Sequence, residues 1–246
     1  MQQLANKIAL VTGASQGIGK AMALAFGREG AHVVVTARTT ASLETVADHI
    51  TQMGGEALAV TADLGVDADI QRIASTALHR FGRIDILVNN AGIIHPRINL
   101  VDFDAQLWRQ VIAVNLTGAA LLTKAVLPSM IAQRSGKIIN ISSIGGRRGG
   151  KTRSAYRVTK AGLISLTESV AAEVKPYGID VVCICPGGTD TEGHRAAFGN
   201  RTPEENACLM QPEEIAALGV FLASEASSAL TGTAIDAFGT SNPLFR

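Results

Sequence analysis

The stretch Thr12-Gly-Ala-Ser-Gln-Gly-Ile-Gly19 decides the fold because of what stands on either side of it. Before it lies an apolar, β-branched run at residues 8–11, and after it an amphipathic helical pattern at residues 17–29. A strand that passes through a tight glycine turn into a helix is typical of the first unit of a βαβ fold. The glycines have the spacing GxxxGxG, which allows a turn that residues with a Cβ atom rarely adopt.

The same alternation continues along the chain. Strands are predicted at residues 8–11, 33–36, 57–61, 84–88, 137–141, 180–184 and 233–236, and helices at 17–29, 41–53, 66–81, 103–132, 154–177 and 212–223. Several strands are apolar without alternation, as expected when a sheet is covered on both faces. We therefore predict one α/β domain over residues 1–246: a doubly wound, Rossmann-like, mostly parallel seven-stranded sheet with helices on both faces. The polar stretch 189–211 has a weak helix signal and is predicted to be a substrate lid.

Composition narrows the classes of partner. The 246 residues are 47% hydrophobic and 17% charged, with a formal net charge of +1. A net charge this small does not attract the chain strongly to nucleic acid or to a membrane surface. No apolar run approaches the roughly 18 residues of a membrane span. The polar residues 1–7 contain no secretory signal, so a cytoplasmic location is expected.

The cysteines and histidines do not indicate a metal site. Cys183, Cys185 and Cys208 are odd in number and form no CxxC pattern, which argues against disulfides and zinc. Cys183 and Cys185 alternate within an apolar run and are predicted to be inert thiols on one side of a buried strand. The histidines are dispersed; His95 is the one expected near the cleft, whereas His194 is expected to face solvent.

The first glycine turn predicts a dinucleotide site. A helix N-terminus offers free N–H groups and the positive end of a dipole to phosphates, and glycines let a pyrophosphate approach the backbone. The second strand ends in Ala37-Arg38-Thr39 without the carboxylate that would bind a ribose 2′-hydroxyl, and Arg38 suits a 2′-phosphate. NADP(H) is therefore favoured and NAD(H) is the alternative, with a solvated Arg38 as the simpler interpretation. The predicted ligand-binding residues here are Gly13, Ser15, Gln16, Gly17, Ile18, Gly19, Arg38 and Thr39.

The ends of the third and fourth strands extend this site. Asp63 and Leu64 follow the third strand, and Asn89-Asn-Ala-Gly92 ends the fourth. We predict that Asp63, Leu64, Asn89, Ala91 and Gly92 contact the adenosine side of the ligand. Simpler roles for Asp63 and the Asn-Gly stretch are a helix cap and a turn.

A proton donor is predicted beside this site. Tyr156 and Lys160 are four residues apart and share one face of a predicted helix, and Ser143 follows the fifth strand. A cation roughly 5 Å from a phenol at an effective dielectric of about 20 contributes about 3 kcal/mol, or roughly two pKa units. We therefore expect Lys160 to lower the pKa of Tyr156 toward about 8.

Taken together, these motifs make the chain similar to the short-chain dehydrogenase/reductase family, in its form of roughly 250 residues. The resemblance covers nearly the whole chain and rests, in order, on Thr12-Gly-x-x-x-Gly-x-Gly19, Asn89-Asn-Ala-Gly92, Asn115, Ser143, Tyr156-x-x-x-Lys160 and Pro186-Gly187.

The resemblance implies a catalytic tetrad of Asn115, Ser143, Tyr156 and Lys160. Tyr156 would be the general acid/base, Ser143 would bind the substrate oxygen, Lys160 would hold the nicotinamide ribose and Asn115 a proton-relay water. Tyr156 and Lys160 thus also count as cofactor-binding. Pro186, Gly187, Thr189 and Thr191 would support the nicotinamide, with Thr191 preferred for its carboxamide. No metal is implied, and members commonly form homotetramers, so a homotetramer or homodimer is expected.

Two residues that neighbour the tetrad in sequence, Ser142 and Arg157, are predicted to lie outside the cleft. Ser142 should face the opposite side of its extended segment from Ser143. Arg157, where many members have a small residue, should lie on a packed or subunit-facing surface.

Four cations, Arg147, Arg148, Lys151 and Arg153, stand between Ser143 and Tyr156. They would attract an anionic substrate, or they belong to a solvated glycine-rich loop, which is the favoured interpretation.

The sequence therefore predicts an NADP(H)-dependent oxidoreductase that interconverts a small-molecule ketone or aldehyde with an alcohol. A 3-oxoacyl-thioester reductase is the alternative enzyme. A non-catalytic dinucleotide-binding scaffold is the alternative from another class, although an intact tetrad argues against it.

Overall fold

The computed structural model describes residues 2–199, 202 and 207–239. Seven strands form one sheet in the order β3-β2-β1-β4-β5-β6-β7, and every neighbouring pair is parallel. The strands are β1 (Ile8–Thr12), β2 (His32–Ala37), β3 (Ala57–Thr61), β4 (Ile86–Asn89), β5 (Gly136–Ile141), β6 (Ile179–Pro186) and β7 (Thr233–Ala237). The prediction of a single doubly wound α/β sheet is confirmed.

Helices cover both faces of the sheet. On one face, α1 (Gly17–Arg28), α2 (Thr40–Gln52) and α8 (Pro212–Ala223) bury residues such as Met22, Leu43 and Ile215. On the other face lie α3 (Asp67–Phe81), α5 (Gly118–Gln133) and α6 (Ser154–Val174). Burial on both faces explains why the strands are continuously apolar.

The order of the strands reverses beside β1, whose neighbours are β2 on one side and β4 on the other. Chain connections therefore leave β1 and β4 in opposite directions and open a crevice at their carboxyl ends. In open parallel sheets, ligands bind in this crevice. The glycine turn after β1 and the Asn89-Asn-Ala-Gly92 stretch after β4 both end there.

The predicted helix 103–132 is interrupted. α4 (Ala105–Ile112) passes into a π-helical turn, Ala113–Thr117, before α5 begins. Within the described residues, the continuous stretch Ala105–Gln133 is long and apolar enough to cross a membrane, with a hydropathy of 1.6 over its most apolar window. The prediction that no apolar run approaches the roughly 18 residues of a membrane span is therefore wrong. In this structure α5 packs against α3 and β5.

The predicted lid contains a helix that its sequence signalled only weakly. α7 (Glu192–Phe198) is capped by Thr191, whose hydroxyl accepts a hydrogen bond of 3.0 Å from the backbone of His194. Hydrogen bonds of 2.8–2.9 Å tie Met210 to Gly188 and Asp190 at the base of the lid. Residues 200, 201 and 203–206 of the predicted lid lie outside the described part.

Candidate active site

A cavity of about 770 Å³ opens at the carboxyl ends of the central strands, beneath α7. Most of the predicted site residues line it: Gly13, Ser15, Gln16, Gly17, Ile18, Arg38, Thr39, Asp63, Leu64, Ala91, Gly92, Ser143, Tyr156, Lys160, Pro186, Gly187, Thr189 and Thr191. Gly19, Asn89 and Asn115 are not part of its wall, and each has a different reason.

The glycine turn is held by close backbone contacts. Gly13 has a φ of +63°, and a Cβ atom there would lie 2.8 Å from the Cα atom of Ala91. A Cβ atom on Gly19 would lie 2.4 Å from the carbonyl oxygen of Gly13. Gly19 therefore lets α1 pack against the turn and does not line the cavity itself.

The side chain of Asn89 faces the core and does not line the cavity, so a cofactor contact through this side chain does not fit the structure. It is buried, and its amide nitrogen donates to Thr123 at 3.0 Å and to Asn140 at 2.9 Å. The next residue, Asn90, lines the cavity and donates to the carbonyl oxygens of Thr12 and Gly13 at 2.9 and 3.2 Å. Because side chains alternate along a strand, the one-residue step from Asn89 to Asn90 changes the face.

Thr12 joins the two strand ends that form the crevice, a role the sequence did not indicate. Its hydroxyl donates to the Val88 carbonyl at 3.1 Å and accepts from the backbone of Asn90 and Ala91 at 3.0 and 3.1 Å. The hydroxyl thereby fixes the end of β4 against the glycine turn.

The N-terminus of α1 already contacts an anion from within the chain. The Glu192 carboxylate, at the start of α7, accepts a hydrogen bond of 3.1 Å from the backbone nitrogen of Gly17. A carboxylate at the positive end of a helix shows that this turn suits anionic oxygen ligands. The predicted phosphate-binding role of the turn fits this geometry.

The end of the cavity beyond β2 and β3 carries one cationic and one acidic side chain. Arg38 is exposed there, beside Thr39, and Asp63 is the acidic residue of the described cavity wall. The Asp63 carboxylate accepts a hydrogen bond of 2.8 Å from Gly65, so it also stabilises the turn after β3. The alternative role of Asp63 as a helix cap is not seen, because the N-cap of α3 is Val66, whereas the place of Asp63 on the cavity wall agrees with the prediction.

Tyr156 and Ser143 meet on the cavity wall, but the pKa of Tyr156 does not follow the prediction. Burial raises the pKa of the phenol above its usual value; a hydrogen bond with Ser143 and the charges of Arg153 and Arg157 oppose this rise. The ammonium of Lys160 lies 5.6 Å from the Tyr156 ring centre. The predicted lowering of the Tyr156 pKa is wrong for this structure because the cost of desolvating a phenolate exceeds the nearby favourable charges.

Lys160 is a buried cation beside the same wall. Lys160 is only 4% exposed, and its ammonium donates a hydrogen bond of 2.7 Å to the Ile141 carbonyl. Burial lowers the pKa of Lys160 to about 8. Lys160 extends from α6, and its ammonium lies at the end of β5, near Gly92 and 5.6 Å from the Tyr156 ring centre, where it can exchange a proton near neutral pH.

Asn115 lies within the π-helical turn and is fully buried. Its amide accepts a hydrogen bond of 2.7 Å from the backbone nitrogen of Ile93 and donates to the Ile93 carbonyl at 3.0 Å. It also donates to Thr159 at 3.3 Å, one residue before Lys160. Asn115 thus links the segment that follows β4 to α6 behind the cavity. Its π-helical turn is of a kind that recurs at functional sites.

The structure corrects the placement of His194, which lines the cavity and stacks on Phe198 with ring centres 4.5 Å apart. His95 is instead buried behind the wall, where its Nε2 atom accepts from the Tyr156 backbone at 3.3 Å. Desolvation lowers the pKa of His95.

Arg157 also lines the cavity, contrary to its predicted place on a packed surface. Ser142 reaches the cavity too, but its hydroxyl donates to the Lys160 carbonyl at 2.6 Å, away from Ser143.

The four cations of the glycine-rich loop divide into two pairs. Arg147 forms an ion pair of 2.8 Å with Asp236, and neither Arg147 nor Arg148 lines the cavity. Lys151 and Arg153 do line it. The interpretation of the loop as a solvated segment therefore fits the exposed Arg147 and Arg148 but does not fit the buried Arg153.

Within the described residues, no group of three or more His, Cys, Asp or Glu side chains is arranged to hold a metal ion. Cys183 and Cys185 are buried free thiols of β6, as predicted, and Cys208 is a partly exposed one. The site therefore consists of backbone, hydroxyl, amide and cationic groups.

Comparison with known proteins identifies the family to which the chain belongs. The family model described as short chain dehydrogenase matches residues 7–201. A 3-oxoacyl-[acyl-carrier-protein] reductase of Synechocystis sp. is 40% identical over 243 residues, covering 97% of this chain and 98% of that protein. A cis-4-hydroxycyclohexanecarboxylate dehydrogenase of Sinomonas cyclohexanicum is 37% identical, covering 94% of each chain.

A solved structure agrees with these sequence matches. The 3-ketoacyl-(acyl-carrier-protein) reductase from Brucella melitensis, complexed with NADH, superposes with a TM-score of 0.90 at 34% identity, covering 97% of this chain and 100% of that one. The chain therefore belongs to the short-chain dehydrogenase/reductase family of oxidoreductases, which bind NAD(P) and act on carbonyl and CH–OH groups.

Proposed function

We propose that the protein is an NADP(H)-dependent oxidoreductase that interconverts a ketone or aldehyde with an alcohol. The observation that carries this proposal is the convergence of Tyr156, Ser143 and Lys160 on the wall of one cavity whose other end has an anion-binding helix N-terminus. A proton donor and a dinucleotide site that share one cavity are what a carbonyl reduction coupled to hydride transfer requires.

The proposed reaction assigns a separate role to each side chain. The reduced nicotinamide, when bound, supplies the hydride. Tyr156 gives its hydroxyl proton to the carbonyl oxygen in reduction and takes the alcohol proton in oxidation. Ser143, which hydrogen-bonds Tyr156, donates to the same oxygen and stabilises the negative charge that develops on it.

Lys160 and Asn115 act behind the tyrosine in this proposal. A lysine whose pKa is about 8 can return a proton toward Tyr156 near neutral pH. Asn115 positions this lysine indirectly, since it bonds Thr159 on α6 and Ile93 beside Gly92. The proposed reaction includes a proton relay through a water held by Asn115.

The preference for NADP(H) rests on Arg38 and on the make-up of the cavity wall. Arg38 and Thr39 follow β2, where the sequence lacks the carboxylate that would bind a ribose 2′-hydroxyl; Asp63, after β3, is the acidic residue among the described wall residues. A guanidinium is suited to a 2′-phosphate, and NAD(H) would gain nothing from it. The bound NADH of the Brucella melitensis relative belongs to that protein and keeps NAD(H) as the alternative.

Reduction of a 3-oxoacyl thioester is a second candidate. This candidate is supported by the names of two similar proteins, a 3-oxoacyl-[acyl-carrier-protein] reductase of Synechocystis sp. and a 3-ketoacyl-(acyl-carrier-protein) reductase from Brucella melitensis. The relative from Sinomonas cyclohexanicum acts instead on a cyclic hydroxy acid, so the family resemblance supports more than one substrate class. A cytoplasmic location and assembly as a homotetramer or homodimer are also proposed, on the sequence alone.

The proposal is tested by following nicotinamide absorbance with ketones, aldehydes, secondary alcohols and a short 3-oxoacyl thioester. Tyr156→Phe should lower kcat by about 10² to 10⁴ while dinucleotide affinity, measured by fluorescence, changes little. Tyr177→Phe is the matched control, because Tyr177 is the chain's other tyrosine and lies at the surface, 37% exposed. Wild-type turnover in Tyr156→Phe would revive the non-catalytic scaffold.

A further inference from the structure

Arg153 is a buried guanidinium that forms no ion pair with a carboxylate of the described residues. It is 6% exposed and lines the cavity just before Tyr156. It donates to two neutral carbonyl oxygens, that of His95 and, at 2.8 Å, that of Ala197 on α7. Its Nε atom is buried without a hydrogen-bond partner, and Arg153 forms no ion pair with the described residues.

Two further guanidinium groups of the same wall also have no carboxylate partner among the described residues. Arg157 donates to the carbonyl oxygens of Arg148 and Gly149 at 2.7 and 3.2 Å, and Arg97 lies 5.6 Å from the Phe198 ring centre. Arg153 lies 4.6 Å from the same ring, so Phe198 contacts both cations. No carboxylate of the described chain forms an ion pair with any of the three.

This arrangement differs from that of other cations in the same loop. Arg147 is paired with Asp236 and lies outside the cavity wall, so its charge is already compensated. Desolvation is the main cause that lowers the pKa of Arg153, and the positive charges of Arg97 and Arg157 lower it further, so both lie close enough to act on this guanidinium. An arginine keeps its proton at neutral pH, so a bound anion would offset the cost of burying the Arg153 charge.

The cluster also lies beside the reacting group. The charges of Arg153 and Arg157 both act on Tyr156, and Arg97, Arg153 and Arg157 line the same cavity as Ser143. A planar guanidinium can bind a carboxylate with two parallel hydrogen bonds, which fixes orientation as well as charge. A ligand held there by one end would keep a carbonyl group within the same cavity as Tyr156.

We propose that the substrate carries a carboxylate, an oxo acid or the corresponding hydroxy acid, and that Arg153, Arg157 and Arg97 bind this carboxylate while the carbonyl group faces Tyr156 and Ser143. This inference rests on the proposed function, because it names the substrate class of the same site. It also gives α7 a role: Arg153 contacts the carbonyl oxygen of Ala197, so the group that binds the substrate anion also holds the lid.

Matched pairs of substrates test the proposal. The acids are 3-oxobutanoate, 4-oxopentanoate and 5-oxohexanoate, each compared with its methyl ester, which has the same ketone without the charge. For the wild type, the kcat/KM of at least one acid should exceed that of its ester by about tenfold or more, and the ratio should fall as salt is raised. A ratio near one for all three pairs would overturn the proposal while leaving the proposed function intact.

Variants separate recognition of the anion from a purely structural role. Arg97→Gln should lower kcat/KM for the acid by about 10- to 100-fold, mainly through KM, and change that of the ester by less than about threefold. Arg153→Gln also removes the hydrogen bond to Ala197 on α7, so it should lower kcat/KM for both substrates, and for the acid by about tenfold more. Arg97→Glu, at an exposed position, should reverse the preference. Arg148→Gln is the control, because its exposed side chain is outside the cavity wall.

If Arg153→Gln and Arg97→Gln impair the acid and the ester equally, the arginines only hold the lid and the proposal is wrong. Calorimetric titration with hexanoate and with hexanamide adds a readout that does not need turnover. Tighter binding of hexanoate, lost in Arg97→Gln, would support the anion site even if no ketone were reduced. Equal binding of both compounds would overturn it.

Discussion

The Oε2 atom of Glu192 lies 3.1 Å from the backbone nitrogen of Gly17, so the lid helix α7 contacts the N-terminus of α1 through a charged oxygen. A Cβ atom on Gly17 would lie 3.1 Å from the side chain of Thr191, which shows how closely the two elements approach. The carboxylate thus uses the N–H group that the proposed phosphates of a dinucleotide would also need.

Glu192→Gln is therefore expected to tighten dinucleotide binding. The substitution keeps the size of the side chain and removes the negative charge that competes at the helix terminus, an effect of about 0.3–1 kcal/mol at an exposed site. We expect the Kd of NADPH, measured by fluorescence titration, to fall by about two- to fivefold.

Glu168→Gln is the control for this experiment, since it makes the same change of net charge at an exposed position on α6. A wild-type Kd in Glu192→Gln, or an equal gain in Glu168→Gln, would show that the Glu192 contact does not compete with the ligand.

Arg38→Ala should change the choice between dinucleotides. Removing a guanidinium that binds a phosphate costs about 1.5–3 kcal/mol, so the KM for NADPH should rise by about 10- to 100-fold while that for NADH stays within about threefold. Initial rates with both cofactors give the ratio directly. Arg28→Ala, at the exposed end of α1, is the control. A wild-type preference for NADH that Arg38→Ala leaves unchanged would contradict the prediction.

The sequence indicated the framework of the site well because local signals specify it. The glycine turn, the strand ends and the i, i+4 relation of Tyr156 and Lys160 each depend on a few neighbouring residues. Asn89 shows the limit of such signals: neighbouring asparagines have the same chemistry, and only the pairing of β4 decides that Asn90 faces the cavity and Asn89 the core. Position in a motif did not reveal the face.

The residues that the sequence placed wrongly depend on contacts between distant segments. Arg153 is buried because His95 and Ala197, 58 and 44 positions away, supply its acceptors. Glu192 and Gly17 are 175 positions apart. The pKa of Tyr156 depends in the same way on the whole cavity wall, because the burial that the wall causes raises this pKa more than the hydrogen bond with Ser143 and the charges of Arg153 and Arg157 lower it. Local spacing contains none of this information.

Lys160 should leave a signature in the pH dependence of stability. Burial lowers the pKa of Lys160 from 10.5 to about 8, so below pH 8 the lysine is protonated in the folded and the unfolded chain, and the full cost of burying its charge is present. Between pH 8 and 10.5 the folded protein releases this proton while the unfolded chain keeps it. Stability attributable to Lys160 therefore rises with pH across this window.

Lys160→Met isolates this contribution, because the other groups that titrate are shared with the wild type. The difference in unfolding free energy, variant minus wild type, should fall by about 2 kcal/mol between pH 7.5 and 9.5, as measured by urea denaturation. Lys124→Met, in the more exposed part of α5, should show no such trend. A difference that stays constant or grows over this range would mean that Lys160 is not a destabilised buried cation, and its part in returning a proton to Tyr156 near neutral pH would lose its physical basis.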